Sequence, residues 1–533
     1  MPAVEALVVI DRPATPPPSD RVVADFLAGH AHVWHGGLAD GLGEIPVSLT
    51  TVRPRWMLDV EPVHDVPAVS WRLSFDGCLV RAAAVRAVGA PDPGFDTRTG
   101  SGLEWGFRLV RFGAIVLNHP AVADRPRRVP VPPTALDDLR LVALHYGRFW
   151  RAWAAMRAVR LGALRRRADL VRLPELVKVT ACRAPAEPLI RPAHGDRAAV
   201  KAAWDGRVSI LVPTLRRYGY LRTLIDQIAA QTVVPLEVIV VDQTPAASRE
   251  TVTGPGDHGI GFTVIALDHI GQCTARNEGL RVVAGDHVLF LDDDDEIPPD
   301  LIERHVVTLD AIGADGSCGG VDEDGVGALP PEFAYIHVAD LFPTNNTLLR
   351  TEALRTSGLF DLQFDGGTNE DHDLGVRLYR SGQLLMFNPE PRVFHHRASQ
   401  GGLRHHGQRV VTRARSRRSL VRRRLPTVTE TYLLLKYQSN RSVHESELIS
   451  AMATLSHDGG RLARLGRLVV ATALLPDTWH RIRAAHRGAE ALLAAGPQVP
   501  ELPTALAAAP PAPTDRRAPD PSTTAPATPE ART

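Results

Sequence analysis

The chain has 533 residues and a mass of 57.8 kDa, which is too long for one compact core and predicts about three domains. Basic and acidic residues nearly cancel, with 61 Lys and Arg against 60 Asp and Glu, so the composition argues against a protein that coats nucleic acid. A hydrophobic fraction of 44% and a mean hydropathy of −0.08 are typical of a folded globular protein and exclude a chain that lies mostly within a membrane.

Neither end of the chain carries a targeting signal that we recognise. No basic segment precedes the short apolar run at the N-terminus, and no stretch reaches 18 apolar residues, so we expect neither a signal peptide nor a membrane-spanning helix. The four cysteines lie far apart and lack the spacing of a zinc site or a disulfide framework: Cys78, Cys182, Cys273 and Cys318. This usage favours a reducing, cytoplasmic setting.

Residues 206–312 alternate between apolar runs and helical patterns. The runs lie at 208–212, 236–241, 262–267 and 287–291, and a helix is predicted to begin at Pro298-Pro299. This alternation predicts βαβ units and an α/β fold whose mostly parallel sheet is covered on both faces. Because ligands bind beyond the carboxyl ends of such strands, the residues that follow each run are candidate site residues.

The residues after these runs are polar and acidic. Pro213 and Thr214 follow the first strand, and Asp242 follows the second. The fourth run ends in Asp292-Asp293-Asp294-Asp295-Glu296, a cluster that is costly unless a cation neutralises it. Oxygen ligands suit Mg²⁺ or Mn²⁺, ions that often also hold substrate phosphates. The alternative is a solvated acidic loop.

Further candidate residues lie downstream of the second strand. Arg276, at the start of a helical segment, could bind a diphosphate, with the helix N-terminus behind it; the alternative is an ordinary surface arginine. Glu370 and Asp371 begin a helix after two glycines, where acidic residues are often only capping partners. His395 or His396 could supply a metal ligand, although such a pair is more often structural.

Five ordered motifs within residues 207–397 resemble the family-2 inverting glycosyltransferases of the GT-A fold: VSILVPT, EVIVVD, CTARNEGL, FLDDDDEIPPDLI and GGTNEDHDLGVRLYRSG. The resemblance implies a divalent metal, Mn²⁺ or Mg²⁺, and a nucleotide-diphosphate sugar as donor. It implies that Asp292 and Asp294 bind the metal and the diphosphate and that Asp242 contacts the nucleoside. It also implies that the pair Glu370 and Asp371 supplies the catalytic base, with Asp371 the base, and that His395 or its neighbour joins the metal shell.

The same chemistry can be stated from the residues alone. Two phosphates gain negative charge as the bond between sugar and diphosphate breaks. A cation held by Asp292 and Asp294, aided by Arg276, would stabilise that charge, while Asp371 would remove the proton of an attacking acceptor hydroxyl. Arg216 and Gln243-Thr244 depart from the family pattern, which leaves the nucleotide open. The acceptor is expected to be a glycan, a lipid-linked molecule or a small molecule.

An internal repeat relates the N-terminal region to this domain. Residues 79–113 align without a gap onto residues 348–382 at a constant offset of 350 − 81 = 269. The first copy has Arg12-Pro13 and Ser101-Gly102 where the second has carboxylates, and it begins at the metal-binding strand. We therefore predict a degenerate, partial GT-A-like module that evolved incomplete or whose true start lies upstream of Met1. We favour the second explanation.

The predicted organisation has five parts. They are the degenerate module at 1–130, a basic helical linker at 131–205, the glycosyltransferase domain at 206–400, a basic helical region at 401–496 and a disordered Pro/Ala-rich tail at 497–533. The basic helical regions could contact an anionic membrane from the cytoplasmic side, or they could be solvated faces of packing helices. Two other functions remain open: a nucleotidyltransferase, although the VPTLRRYGY segment lacks its Gly-rich loop, and a glycan- or lipid-binding scaffold.

Overall fold

The structure, a computed structural model, describes two sheets with their helices and a C-terminal group of helices. The described residues are 6–9, 18–36, 65–75, 77–123, 131–164, 167–182, 187–190, 197–323, 331–339, 342–398, 423–456, 458 and 460–503. The predicted contrast of Arg12-Pro13 with Asp292 therefore lies outside the described residues, as do the arginine-rich run at 404–422 and most of the Pro/Ala-rich tail.

The N-terminal module is built on a five-stranded sheet. Its elements are β1 (Ala6–Val9), α1 (Asp20–Ala28), β2 (Val33–His35), β3 (Ala68–Val69), β4 (Cys78–Arg81), α2 (Ala82–Val88), α3 (Arg98–Arg111), β5 (Val116–Asn118) and α4 (Pro120–Ala123). The strand order is β1-β4-β2-β5-β3, and only β2 and β5 pair in parallel. Fully buried Trp71 and Trp105 fill the core beside this sheet, so the module folds around an apolar core although it lacks a complete α/β sheet.

Four helices join the two modules: α5 (Ala135–His145), α6 (Arg148–Arg160), α7 (Arg167–Val177) and α8 (Arg197–Ala203). Helix α6 combines tryptophan with arginine, the composition that suggested either membrane contact or packing. Trp153 and Arg157 are buried, and Arg157 Nε donates to Glu445 Oε1 over 2.8 Å. This face of α6 therefore packs within the protein, whereas Phe149 and Met156 remain exposed.

The second module contains the predicted glycosyltransferase domain. Its elements are β6 (Val208–Thr214), α9 (Tyr218–Ala229), β7 (Glu237–Asp242), β8 (Gly261–Ala266), α10 (Gln272–Leu280), β9 (His287–Phe290), β10 (Asp295–Glu296), α11 (Leu301–Ile312), β11 (Gly316–Glu323), β12 (His337–Val338), β13 (Thr347–Arg350), α12 (Thr351–Ser357), α13 (Glu370–Arg380) and β14 (Leu385–His395), with 3₁₀ turns at Ala246–Ser248, Pro331–Ala334 and Leu362–Phe364. All four predicted strands form, which confirms the α/β class. The predicted helix at Pro298-Pro299 begins at Leu301 instead, because two consecutive prolines lack the amide hydrogens of a first turn.

The second sheet is parallel in one half and mixed in the other. Its order is β10-β14-β11-β13-β9-β6-β7-β8, and β12 pairs with β14. Strands β9, β6, β7 and β8 pair in parallel as predicted. The prediction of a mostly parallel sheet is wrong for the other half, where β13 runs antiparallel to both β9 and β11. An apolar run in the sequence predicts a strand but carries no information on its direction.

The parallel half is buried between helices. Residues of its two central strands, such as Leu211 and Val240, have no exposed surface, as expected of strands covered on both faces. Helix α10 lies against them so closely that a Cβ at Gly279 would stand 2.2 Å from Leu211 Cδ1. The side chain of any other residue at this position would move the helix away from the sheet, and with it the candidate residues at its start.

Four further helices follow the second module: α14 (Val428–Tyr437), α15 (Asn440–Ala453), α16 (Arg461–Ala473) and α17 (Leu475–Ala495). Within the described part of the chain, no helix is both long and apolar enough to cross a membrane. The first residues of the predicted disordered tail are packed instead. Leu359 N donates to Pro500 O over 2.8 Å, and Leu502 is buried, so main-chain hydrogen bonds and one apolar side chain hold this segment to the second module.

The two modules share the arrangement of their mixed strands. Strand β2 pairs antiparallel with β4 and parallel with β5, as β11 pairs with β13 and β14. The bounds of β3, β4 and α2 differ from those of β12, β13 and α12 by the same 269 residues found in the sequence repeat. The described part of the N-terminal module contains no counterpart of β6, β7 and β8.

The modules also contact each other reciprocally. A Cβ at Gly113 would stand 2.9 Å from Ile336 O, and a Cβ at Gly382 would stand 3.1 Å from Pro67 O. Gly382 is 269 residues after Gly113, and Ile336 is 269 residues after Pro67. The same pair of positions thus meets twice across the contact, which is the pattern of an isologous, two-fold interface.

Candidate active site

Four consecutive aspartates lie directly after β9, at the carboxyl end of the parallel strands. Asp293, Asp294 and Asp295 are buried, whereas the Asp292 side chain is 30% exposed. Asp292 N donates to Asp295 Oδ2 over 2.8 Å, which closes a tight turn. The solvated-loop alternative is therefore wrong for these residues. Buried carboxylates require nearby positive charge or protons.

Arg217 supplies positive charge from the start of α9. One of its guanidinium nitrogens donates to Asp293 Oδ1 over 2.8 Å and to Asp294 Oδ1 over 2.7 Å. Asp294 also accepts a hydrogen bond from the backbone of Ala398 over 2.6 Å. Both oxygens of Asp294 are therefore engaged by donors of this chain.

Arg276 connects two groups of carboxylates. Its guanidinium donates to Asp292 Oδ1 over 3.0 Å and to Glu370 Oε1 over 3.3 Å, and it lies over the ring of Phe360. The surface-arginine alternative is wrong, because only 4% of this residue is exposed. Its Nε is buried without a hydrogen-bond partner among the described residues. A buried donor without a partner is costly, so this atom is a candidate contact for an anionic ligand.

The N-terminus of α10, the helix of Arg276, already has an anionic partner. Asp365 Oδ1 accepts hydrogen bonds from Cys273 N over 2.7 Å and from Thr274 N over 3.1 Å. The expectation that a diphosphate would use this helix N-terminus is thus wrong for these two amides, because a carboxylate of the same chain caps them. The guanidinium of Arg276 remains the donor group at this place.

The two histidines after β14 have different partners. Strands β10 and β14 pair with Asp295 opposite His395, and His395 Nδ1 lies 2.9 Å from Asp295 Oδ1 and 3.7 Å from Asp294 Oδ1. His396 instead contacts Glu296 near the surface over 3.1 Å. Of the two predicted alternatives, His395 is the one that lies at the aspartate cluster.

Burial and charge together shift the pKa values in the cluster. Burial raises the pKa of Asp293 to about 6, against the opposing charge of Arg217, and raises the pKa of Asp295 to about 7, against its hydrogen bond with His395. Burial lowers the pKa of His395, but its hydrogen bond to Asp295 and the surrounding carboxylates prevail and raise it to about 9. His395 is therefore a cation at neutral pH in the absence of a metal.

Glu370 and Asp371 begin α13 beside this cluster. Asn369 precedes them with φ +80°, a left-handed conformation in which asparagine is tolerated. Glu370 is buried, and burial together with the charge of Asp371 raises its pKa to about 7. Asp371 is partly exposed, and its Oδ1 accepts a hydrogen bond from His372 N over 2.8 Å. Of the two carboxylates, Asp371 is therefore the more accessible.

The remaining predicted residues lie at the same end of the sheet. Thr214 donates to Asp293 Oδ2 over 2.7 Å, and Pro213 is half-buried beside it. Asp242 is fully buried and accepts hydrogen bonds from Tyr218 and from Thr244 N, each over 2.8 Å. These contacts fix the orientation of the Asp242 carboxylate.

One group of these side chains has the geometry for a metal ion. Asp292, Asp294 and His395 each offer a ligand atom, and the three atoms lie within 4.8 Å of one another. Two carboxylate oxygens and one imidazole nitrogen suit Mn²⁺ or Mg²⁺. Arg217 and Arg276 hold two of these carboxylates, so a bound metal would compete with them.

Sequence reasoning missed three residues that shape the site: Arg217, Asp365 and Lys436. Arg217 follows β6 in the same strand-end position as the residues we selected, so the rule that singled out Thr214 could have found it. Lys436 Nζ, on α14, lies 2.6 Å from Asp373 Oδ1 and 2.8 Å from Asp361 Oδ2, which holds the start of α13 in place. No local signal in the sequence links Asp365 or Lys436 to the site.

Comparison with known proteins identifies this region. Residues 209–364 match the family model "Glycosyl transferase family 2", which agrees with the predicted GT-A class of fold. Amylovoran biosynthesis glycosyltransferase AmsB of Erwinia amylovora is 23% identical over 225 residues, 39% of this chain and 75% of the relative. Glycosyltransferase GlyA of Streptococcus pneumoniae serotype 4 is 33% identical over 100 residues, 19% of this chain and 14% of the relative.

Two solved structures align with about half of this chain. S. aureus TarS 1–349 is 16% identical, with 53% of this chain and 91% of that chain covered and a TM-score of 0.34. The mannosyltransferase PcManGT from Pyrobaculum calidifontis, solved with GDP-Man and Mn²⁺, is 17% identical, with 54% and 87% covered and a TM-score of 0.34.

The raised pKa of Glu370 predicts a pH-dependent stability. Between about pH 4.5 and 7 the folded chain keeps the Glu370 proton while the unfolded chain releases it, so this group's contribution to stability falls as the pH rises. Glu370→Gln should therefore raise the melting temperature at pH 8 relative to the unchanged chain, by on the order of 2 kcal/mol, and should give a smaller gain at pH 4.5. Thermal unfolding at both pH values measures this difference. The control Glu278→Gln, a surface carboxylate of α10, should show no such change with pH, and an equal effect of Glu370→Gln at both values would contradict the assignment.

Proposed function

Since residues 209–364 form a domain of glycosyl transferase family 2, we propose that the chain transfers a sugar from a nucleoside-diphosphate sugar to an acceptor hydroxyl, with inversion at the anomeric carbon. The observation that carries this proposal is the convergence of two sets of groups at one end of the sheet. A metal-type cluster of Asp292, Asp294 and His395 is joined through Arg276 to the carboxylates of Glu370 and Asp371.

The leaving group would be bound by positive charge. Asp292, Asp294 and His395 would hold Mn²⁺ or Mg²⁺, which when bound supplies positive charge that stabilises the departing diphosphate. The unpartnered Nε of Arg276 would donate a hydrogen bond to the same diphosphate. The Asp242 carboxylate, oriented by Tyr218 and Thr244, would contact the nucleoside, with Pro213 and Thr214 beside it.

The acceptor would be activated by Asp371. As the acceptor oxygen forms its bond to the anomeric carbon, the bond from that carbon to the diphosphate oxygen breaks, and Asp371 takes the hydroxyl proton. The attack comes from the face opposite the diphosphate, so one displacement inverts the configuration. Glu370, buried against Arg276 with a raised pKa, would position that arginine rather than serve as the base. The acceptor could be a glycan, a lipid-linked molecule or a small molecule.

We also propose that the N-terminal module is a degenerate copy of the second module. The shared pairing of strands and the 269-residue offset support this proposal. The copy keeps a structural ion pair, since Glu104 and Arg108 contact each other as Asp373 and Arg377 do. Ser101-Gly102 stands where the second module has its two carboxylates, so this module would serve as a packing partner without transferase chemistry.

Asp371→Asn should abolish turnover while leaving donor binding intact, because it removes only the proton acceptor. We expect a loss of about 10²- to 10⁴-fold in rate, measured as release of nucleoside diphosphate from a donor and acceptor that the unchanged chain uses. The control Asp310→Asn replaces an exposed aspartate of α11 and should keep full activity. Full activity of Asp371→Asn would contradict the assignment of the base.

Arg217→Gln should bind Mn²⁺ more tightly than the unchanged chain. Arg217 holds Asp294 through a charged hydrogen bond, and a metal that uses the same carboxylate must displace it, so we expect a gain of roughly tenfold in affinity. Titration calorimetry with Mn²⁺ alone measures this without turnover. Arg222→Gln, an exposed arginine of α9 paired with Glu250, is the matched control and should leave the affinity unchanged. Equal or weaker binding by Arg217→Gln would show that Asp294 is not a shared ligand.

A further inference from the structure

Helix α16 turns a row of large aliphatic side chains outward. Leu462 is 87% exposed, Val469 is 63% exposed and Leu465 is 59% exposed. At 3.6 residues per turn these three positions fall within about 60° of arc, so they form one stripe along the helix. Such an apolar stripe normally faces a protein core, and here it faces away from it.

The opposite side of α16 is the side that packs on the protein. Ala471 is buried, and the helix lies against α17. Its small side chain allows close contact there, while the long aliphatic residues point elsewhere. The exposed stripe is therefore not explained by burial within this chain.

The charges of α16 are all positive. Arg461, Arg464 and Arg467 lie along the helix, and the sequence from residue 461 to residue 473 contains no aspartate or glutamate. Asp458 precedes the helix, and Arg467 donates to its backbone oxygen. The three arginines flank the aliphatic stripe on one side, a distribution typical of helices that lie in the interface of an anionic bilayer.

A second copy of this chain fits this face less well. In a symmetric pair of α16 helices, each row of arginines would approach the other, and the helix carries no acidic residue to neutralise them. An anionic lipid surface would instead attract the arginines and bury the leucines and valine. Charge complementarity thus favours the bilayer over self-association.

We propose that α16 is a membrane-docking helix that binds the surface of an anionic bilayer. Its stripe of Leu462, Leu465 and Val469 inserts among the acyl chains, and its arginines contact lipid phosphates. This proposal does not rest on the transferase activity. It places the docking surface on a helix that differs from α6, whose Trp153 and Arg157 pack within the protein.

Sedimentation of the full chain with vesicles tests this proposal. We expect the chain to pellet with phosphatidylcholine vesicles containing 30 mol% phosphatidylglycerol, and far less with phosphatidylcholine alone. Leu462→Gln/Val469→Gln should lower the partition coefficient by tenfold or more, because both side chains leave water on docking. Arg461→Gln/Arg464→Gln/Arg467→Gln should remove the preference for the anionic lipid and the sensitivity to salt.

Matched substitutions separate docking from general loss of apolar surface. Val131→Gln/Val234→Gln changes two exposed valines outside α16 and should bind vesicles like the unchanged chain. All variants should keep the melting temperature of the unchanged chain, since the altered side chains are exposed. No binding to anionic vesicles would overturn the proposal. So would equal binding by the Leu462/Val469 variant, or a concentration-dependent dimer that this variant abolishes in the absence of vesicle binding.

Discussion

The burial of three consecutive aspartates at the end of β9 is the constraint on which the rest of the site depends. Carboxylates taken out of water must be neutralised by protons or by cations. This chain supplies Arg217 from α9, Arg276 from α10 and His395 from β14. Each of these cations comes from a different element, so the cluster fixes the mutual positions of those elements around the end of the sheet.

The same cluster explains why the site can bind a charged substrate. A group of carboxylates held by arginines is balanced without a ligand, yet those arginines can be shared with an incoming anion. Arg276 illustrates this, because it already bridges Asp292 and Glu370 and still has a buried Nε without a described partner. Binding of a metal together with a diphosphate would add opposite charges in nearly equal amounts, so the site would remain close to neutral.

Much of this arrangement could be predicted from the sequence, because local patterns determine it. The apolar runs predicted β6 to β9, and the rule that ligands bind after parallel strands singled out Thr214, Asp242 and Asp292. Contacts between distant segments could not be predicted in this way. Asp365 caps α10 from a position 92 residues away, and the antiparallel direction of β13 depends on the path of the chain rather than on its own residues.

The two modules show which features of a fold persist when chemistry is lost. Glu104 with Arg108, like Asp373 with Arg377, stabilises the helix that follows the mixed strands. Gly113 and Gly382 keep the close contact between modules. These positions serve packing, and they are retained in both modules, whereas the carboxylates of Glu370 and Asp371 are matched only by Ser101 and Gly102. The N-terminal module therefore covers one face of the second module in the way that a second subunit would.

The central claim is that the aspartate cluster binds a divalent cation together with a nucleoside diphosphate. The most direct measurement is the melting temperature of the chain with UDP, GDP, CDP or ADP, each with Mn²⁺ or with EDTA, because a ligand that binds only the folded state raises it with concentration. The account predicts that at least one diphosphate raises the melting temperature with Mn²⁺ and much less with EDTA, and that Asp294→Asn loses this difference. Equal shifts with Mn²⁺ and with EDTA, or an unchanged response of Asp294→Asn, would contradict it.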